Sequence, residues 1–129
     1  MGINQEFLQQ LSILYVEDDE RIRESFTSVF SKLFKNVTVA LDGEDGLEKY
    51  TEFREEKQFD IIISDINMPN LNGMEMLKEI RNIDQEVPFI FTTAHADSEY
   101  LLEAITLGVT HYLIKPIDLK QMMVQVQDI

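Results

Sequence analysis

Asp60-Ile61-Ile62-Ile63-Ser64-Asp65-Ile66-Asn67-Met68-Pro69-Asn70 is the stretch on which the fold turns. Its three consecutive isoleucines leave no polar face, which suits a strand covered on both sides at the centre of a parallel sheet. The run then breaks at Asp65 into turn residues. Other apolar runs end in the same manner. Ser12-Ile13-Leu14-Tyr15-Val16 leads into Glu17-Asp18-Asp19, Phe89-Ile90-Phe91 into Thr92-Thr93-Ala94, and Tyr112-Leu113-Ile114 into Lys115-Pro116. If these are parallel strands of one sheet, their carboxyl ends share an edge, and open α/β folds bind ligands at that edge.

Strand-like runs at Ile13–Val16, Val37–Ala40, Ile61–Ser64, Phe89–Thr92 and His111–Ile114 alternate with helical patterns. Ile22, Phe26, Val29, Phe30 and Leu33 give the first helix an apolar stripe. Leu47, Tyr50 and Phe53 mark a weaker second helix after Asp42-Gly43, and Met74, Leu77 and Ile80 a third after Asn72-Gly73. Leu101, Ala104 and Ile105 mark a fourth, which Gly108 is expected to end as a left-handed cap. Leu119, Met122 or Met123, and Val126 mark a fifth. Regular alternation with right-handed crossovers implies an α/β fold. The expected arrangement is a doubly wound, five-stranded parallel sheet in order 2-1-3-4-5 with helices on both faces, flavodoxin-like in its (βα)5 pattern. In that order strands 1 and 3 are neighbours, so Glu17, Asp18 and Asp65 meet at the switch point.

The chain has 129 residues, enough for one domain with a continuous core. We expect a single domain over residues 1–129, its core running from about residue 11. The fifth helical pattern reaches Ile129 without a cap or polar tail, so a segment of a longer chain is expected. Cysteine is absent, which excludes thiolate metal sites, thiol nucleophiles and disulfides. No apolar run is long enough to span a bilayer, and Met1–Gln10 lacks the basic and apolar regions of a signal peptide. A cytoplasmic setting is expected. The net charge of −13 opposes direct binding to nucleic acid or anionic membrane.

Carboxylates about 4 Å apart repel by roughly 4 kcal/mol at an effective dielectric near 20, so an acidic cluster needs a counter-charge. Mg²⁺ suits a few carboxylates, retained waters and a phosphate oxygen. An acidic first helical turn would alone account for Glu17-Asp18-Asp19-Glu20, but not for Asp65 at the end of a neighbouring strand. Asp65 is either a turn-forming strand-end residue or a nucleophile able to form an aspartyl-phosphate.

Taken in order, Val16-Glu17-Asp18-Asp19, Ser64-Asp65-Ile66-Asn67-Met68-Pro69-Asn70, Thr92-Thr93-Ala94 and Tyr112-Leu113-Ile114-Lys115-Pro116 resemble the four motifs of the response regulator receiver domain family. The resemblance runs from about Ser12 to the last residue. It implies that Asp65 accepts a phosphoryl group. It also implies that Glu17, Asp18, Asp65 and the backbone carbonyl of Asn67 hold Mg²⁺, with Mn²⁺ as a substitute, and it ranks Asp19 below the acid pair. Thr93 would bond a phosphoryl oxygen, with Thr92 pointing to the opposite side and Ala94 leaving room. Lys115 would complete the site, and the Lys115–Pro116 bond is expected to be cis. Thr93 and Tyr112 would form a switch that reshapes the surface of the fourth helix, fifth strand and fifth helix. His95 would either influence the lifetime of the phosphorylated state or be a solvated loop residue, and His111 is read as structural.

The resemblance implies a two-component or phosphorelay signalling switch rather than a turnover enzyme. Its partners would be a histidine kinase or histidine phosphotransfer protein and a downstream protein or tethered output domain, with phosphorylation-dependent dimerisation compatible. The segment would suit a hybrid kinase or a regulator with a catalytic or DNA-binding module. An aspartyl phosphohydrolase fits less well, because Asn67 stands where such enzymes carry a general acid. Tyr100, Met122 and Met123 are either a partner surface or, for the methionines, core packing.

Overall fold

The computed structural model describes residues 3–57, 59–93 and 98–128. A short helix α1 (Gln5–Leu8) precedes β1 (Ser12–Val16), α2 (Glu20–Leu33), β2 (Asn36–Ala40), α3 (Gly43–Lys57) and β3 (Ile61–Asp65). There follow α4 (Gly73–Ile83), β4 (Phe89–Thr93), α5 (Ser98–Thr106), β5 (His111–Ile114) and α6 (Leu119–Gln127). The five strands form one sheet in the order β2-β1-β3-β4-β5, every pairing parallel, as the alternation predicts.

Side chains alternate across the sheet, and the two faces build separate cores. One face sets Leu14, Val16, Ile62, Phe89 and Phe91 against Tyr50 of α3, Met74, Met76, Leu77 and Ile80 of α4, and Ala104 of α5. The other sets Ile13, Tyr15, Ile61, Ile63, Ile90 and Leu113 against Leu8 of α1, Phe30 of α2, and Met122, Met123 and Val126 of α6. All five positions of β1, β3 and β4 are buried. Met122 and Met123 are core residues and not a partner surface; the side chain of Tyr100 lies outside the described residues.

Local chemistry explains the element ends. Asp19, Asn72 and Asp118 cap the starts of α2, α4 and α6 by accepting backbone N–H groups, and Asn72 forms a full capping box with Glu75. Gly108, at φ +76°, ends α5 as expected. The Gly108 N–H donates to Ile105 O and the Val109 N–H to Ala104 O, the paired bonds of a Schellman cap. Helix α5 departs from the expected stripe: Ala104 is buried, but Leu101 and Ile105 are 38% and 61% exposed. Ala104 and, just past the helix, half-buried Leu107 pack against the core, while Leu101, Leu102 and Ile105 stay outside.

The start of α4 lies against the end of β3. Gly73 N–H donates to Ile66 O at 2.8 Å. A Cβ at Gly73 would fall 2.4 Å from Asp65 O and 2.9 Å from the Ile66 Cα, both unyielding backbone atoms. Gly73→Ala should therefore lower stability by about 1–3 kcal/mol through overpacking, read as a lower urea midpoint at unchanged m-value. A variant as stable as the wild type would refute this close approach.

Candidate functional site

The register fixes which side chains share an edge. Val16 pairs with Ser64, Asp65 with Thr92, and Thr93 with Ile114. Alternation then carries Glu17, Asp65 and Lys115 to the rim of the face covered by α2 and α6, together with Thr92. Thr93 and Tyr112 belong to the opposite face, where Tyr112 is half-buried against the core of α3, α4 and α5. Thr92 and Thr93 thus point apart, as their adjacency on a strand requires.

Glu17, Asp18 and Asp65 each bring a carboxylate oxygen within 4.8 Å of the others. Glu17 is 1% exposed and Asp65 7%, while Asp18 is open to solvent. Lys115 bridges the buried pair, its Nζ lying 3.1 Å from Glu17 Oε1 and 3.1 Å from Asp65 Oδ2. The remaining oxygens are tied to backbone: Asp19 N–H donates to Glu17 Oε2 at 3.2 Å and Ile66 N–H to Asp65 Oδ1 at 2.8 Å. Asn67 is exposed in the following loop. The Lys115–Pro116 bond is cis, as expected. Ala94 and His95 lie outside the described residues.

Several supporting residues carried little or no signal in the sequence. Arg23, one turn into α2, donates from Nη1 to the carbonyls of Glu17 at 3.0 Å and Asp18 at 3.2 Å, pinning the acidic loop. Its six-residue distance from Glu17 was the only hint, because the ligands are main-chain oxygens that any residue could supply. Asn70 takes a positive φ of 67° and donates to Asp42 Oδ2 at 2.7 Å, joining the loops after β2 and β3. Asp19 spends its side chain as the α2 cap and is placed apart from the pair.

Burial and the neighbouring Asp65 charge push the Glu17 carboxyl up to about 7, against the pull of Lys115. Burial works against the Lys115 ammonium, but the charges of Asp65 and Glu17 outweigh it and raise its pKa. One ammonium among three carboxylates leaves negative charge unbalanced. The donor set is all oxygen, with one acid exposed at an open edge, and that fits a hard divalent cation that keeps part of its water.

A family model for the response regulator receiver domain matches residues 13–127. The Regulatory protein AtoC of Escherichia coli strain K12 is 31% identical over 115 residues, covering 89% of this chain and 24% of that protein. The chain spans between 18% and 51% of the length of the curated relatives it matches. Among solved structures, the N-terminal domain of an uncharacterized Wolinella succinogenes protein is 37% identical with a TM-score of 0.83, covering 92% of each chain. The CheX-CheY-BeF3-Mg+2 complex of Borrelia burgdorferi contains a chain 26% identical with a TM-score of 0.84, covering 98% of this chain and 94% of that one.

The raised Glu17 carboxyl sets a pH dependence. Its proton is held more tightly in the folded state, so its contribution to stability is full below the unfolded value of 4.5 and is lost as pH rises through about 7. The Lys115 contribution holds throughout that window, because its raised pKa lies far above it. Without divalent cations, Glu17→Gln should melt about 5 °C or more above the wild type at pH 8, from a penalty of up to about 3 kcal/mol. The gap should close near pH 5. Thermal melts across that range decide the matter, and a variant less stable than the wild type at pH 8 would contradict it.

Proposed function

The chain belongs to the response regulator receiver domain family, and on that footing we propose that it is a phosphorylation-operated switch whose Asp65 takes a phosphoryl group from a phosphohistidine on a sensor kinase or phosphotransfer protein. Receiver domains are signalling modules of two-component systems that generally bind Mg²⁺ at an acidic pocket and work with kinases and output domains. The observation that supports the reading here is the convergence of Glu17, Asp18, Asp65 and Lys115 at one strand edge.

The two oxygens of Asp65 are not equivalent. Oδ1 is tied to the Ile66 N–H, while Oδ2 accepts from the flexible Lys115 amine. Oδ2 is therefore the attacking atom. As its bond to phosphorus forms, the donor's P–N bond breaks and that electron pair returns to the imidazole nitrogen. Lys115 moves from Oδ2 to a phosphoryl oxygen and keeps it oriented. Bound Mg²⁺, held by Glu17, Asp18, Asp65 and the Asn67 carbonyl, supplies positive charge beside the phosphoryl oxygens, and Mn²⁺ is expected to substitute. Water later attacks the phosphorus, the P–O bond to Asp65 breaks with its electron pair returning to the carboxylate, and inorganic phosphate leaves.

The new group carries a charge of about −1.5 to −2 and three acceptor oxygens. Thr93, fully buried at the end of β4, turns its hydroxyl to one of them. Tyr112 shares its face and follows into the vacated space. The surface of α5, β5 and α6 changes as a result, and its exposed Leu102, Ile105 and Ile114 form the contact offered to a downstream protein, a tethered output domain or a second copy.

Incubation with acetyl phosphate and Mg²⁺ should add one phosphoryl group to the wild type, detected by intact mass, and none to Asp65→Asn. Chelating the Mg²⁺ should abolish the addition. Thr93→Ala should still be modified but should lose the amide shift changes along α5, β5 and α6. An unmodified wild type, or an Asp65→Asn variant that is modified, would defeat the proposal.

A further inference from the structure

The carboxylates proposed to hold Mg²⁺ are fixed at their own strand ends. Asp65 closes β3, Glu17 is bonded to Lys115, and Arg23 pins the Glu17 and Asp18 carbonyls. The Asn67 carbonyl has another setting, because Asn67 is exposed on the loop between β3 and α4. Ile66 and Met68 on either side of it are buried in the core, and the Gly73 N–H bonded to Ile66 O closes the loop at its base. The outer arm of the loop is held from the turn between β2 and α3. Asp42 Oδ2 accepts from Asn70 Nδ2 at 2.7 Å, with Asn70 in its left-handed conformation at φ 67°. The other oxygen, Oδ1, accepts from the Asp45 N–H at 2.8 Å and caps the start of α3. One carboxylate thus ties the loop to a helix seated in the core through Tyr50. Beside it, a Cβ at Gly43 would overlap Leu71 O outright and lie 2.7 Å from the Leu71 carbonyl carbon, so turn and loop meet backbone to backbone.

We propose that Asp42 is a positioning residue for Mg²⁺: through Asn70 it fixes the path of the loop and so the direction of the Asn67 carbonyl. Mg²⁺ demands near-octahedral geometry at short oxygen distances, so a carbonyl on a wandering loop is a poor ligand. Ile66 and Met68 anchor the loop on its inner side and Asp42 on its outer side, with Asn67 between the anchors. Asparagine suits the outer post, since it takes a positive φ at small cost and its amide supplies the donor. Asp42 is a brace and not a ligand, its two oxygens being engaged by Asn70 and the Asp45 N–H.

The metal role rests on the Mg²⁺ binding proposed above; the brace itself does not. Asn70→Gly keeps the positive φ without strain and leaves the Asp42 charge and the α3 cap in place. Calorimetric titration should find it binding Mg²⁺ about tenfold more weakly than the wild type, as for loss of an outer partner of a metal ligand. The exchange Asp42→Asn/Asn70→Asp reverses donor and acceptor, keeps the net charge and the cap, and should recover most of that affinity. Tyr50→Phe, which removes a 3.2 Å bond from α3 to Asp84 at the carboxyl end of α4, should leave Mg²⁺ affinity unchanged. In the metal-free protein, amide relaxation of Asn67, Met68 and Leu71 should reveal new motion in Asn70→Gly and none in the exchange variant. Unchanged affinity in Asn70→Gly, no recovery in the exchange, or an equal loss in Tyr50→Phe overturns the inference. A wild type that binds no Mg²⁺ overturns the proposed function and the metal role with it, while the brace then stands or falls on the amide relaxation alone.

Discussion

The arrangement depends on one contact, the Lys115 amine 3.1 Å from each of two buried carboxylates contributed by different strands. Glu17 and Asp65 lie at the ends of adjacent strands with almost no access to water. Burial first, and then their mutual repulsion, favours a proton on one of them, and for Glu17 that tendency is visible in its raised carboxyl. Lys115 offsets part of the repulsion without removing it. A site so balanced responds strongly to any added charge, whether a cation at the open edge or a phosphoryl group on Asp65.

That balance is an outcome of strand register more than of loop design. Slipping β3 by one residue against β1 would turn Asp65 into the face of Met74 and Leu77 and bring Ser64 to the rim. Close packing on both faces of the central strands opposes the slip, because each face is already filled by side chains fitted to it. Core packing therefore holds the acids in place. The switch residues stand across the sheet from the acids they are proposed to serve, since Thr93 and Tyr112 lie on the face of α3, α4 and α5. Backbone links the two sides, with Lys115 N–H donating to Thr93 O and Ile66 N–H to Thr92 O at 3.2 Å. Any shift of the Lys115 main chain is thus felt directly at Thr93.

All five strands and the five larger helices were legible in the sequence, because each strand is either apolar throughout or carries a clear break, and three helices announce their starts with Asp or Asn. Helix α1 was not, since four residues are too few for periodicity; fully buried Leu8 and partly buried Phe7 record its packing. The acids and the lysine could be placed at one edge from strand ends alone. Their individual parts could not. That Glu17 is buried while Asp18 is exposed follows from alternation past the end of β1, and the work of Arg23 passes through carbonyls, which leave no mark on composition. The outward placement of Leu101 and Ile105 on α5 was not legible for a related reason. Periodicity identifies a helix but cannot say which of Leu101, Ala104 and Ile105 faces inward when one small residue permits a closer approach than two large ones.

The way α5 is held bears on its proposed movement. At its carboxyl end Arg81 of α4 donates to Leu107 O at 2.8 Å and Gly108 O at 3.1 Å, and also to Val87 O at 2.9 Å. One guanidinium thus fastens the end of α5 to the loop that enters β4, and the Schellman cap makes that end rigid. Further along, among the side chains described (101–106), Ala104 is the one fully buried, and Lys78 pairs with Glu103 at the surface. Surface ion pairs contribute at most about 1 kcal/mol, and a buried methyl adds little more. A helix clasped at one end and lightly packed over residues 101–106 moves at small cost by turning about the clasped end. Leu101, Leu102 and Ile105 already face solvent, so such a turn redirects an exposed apolar surface without opening the core.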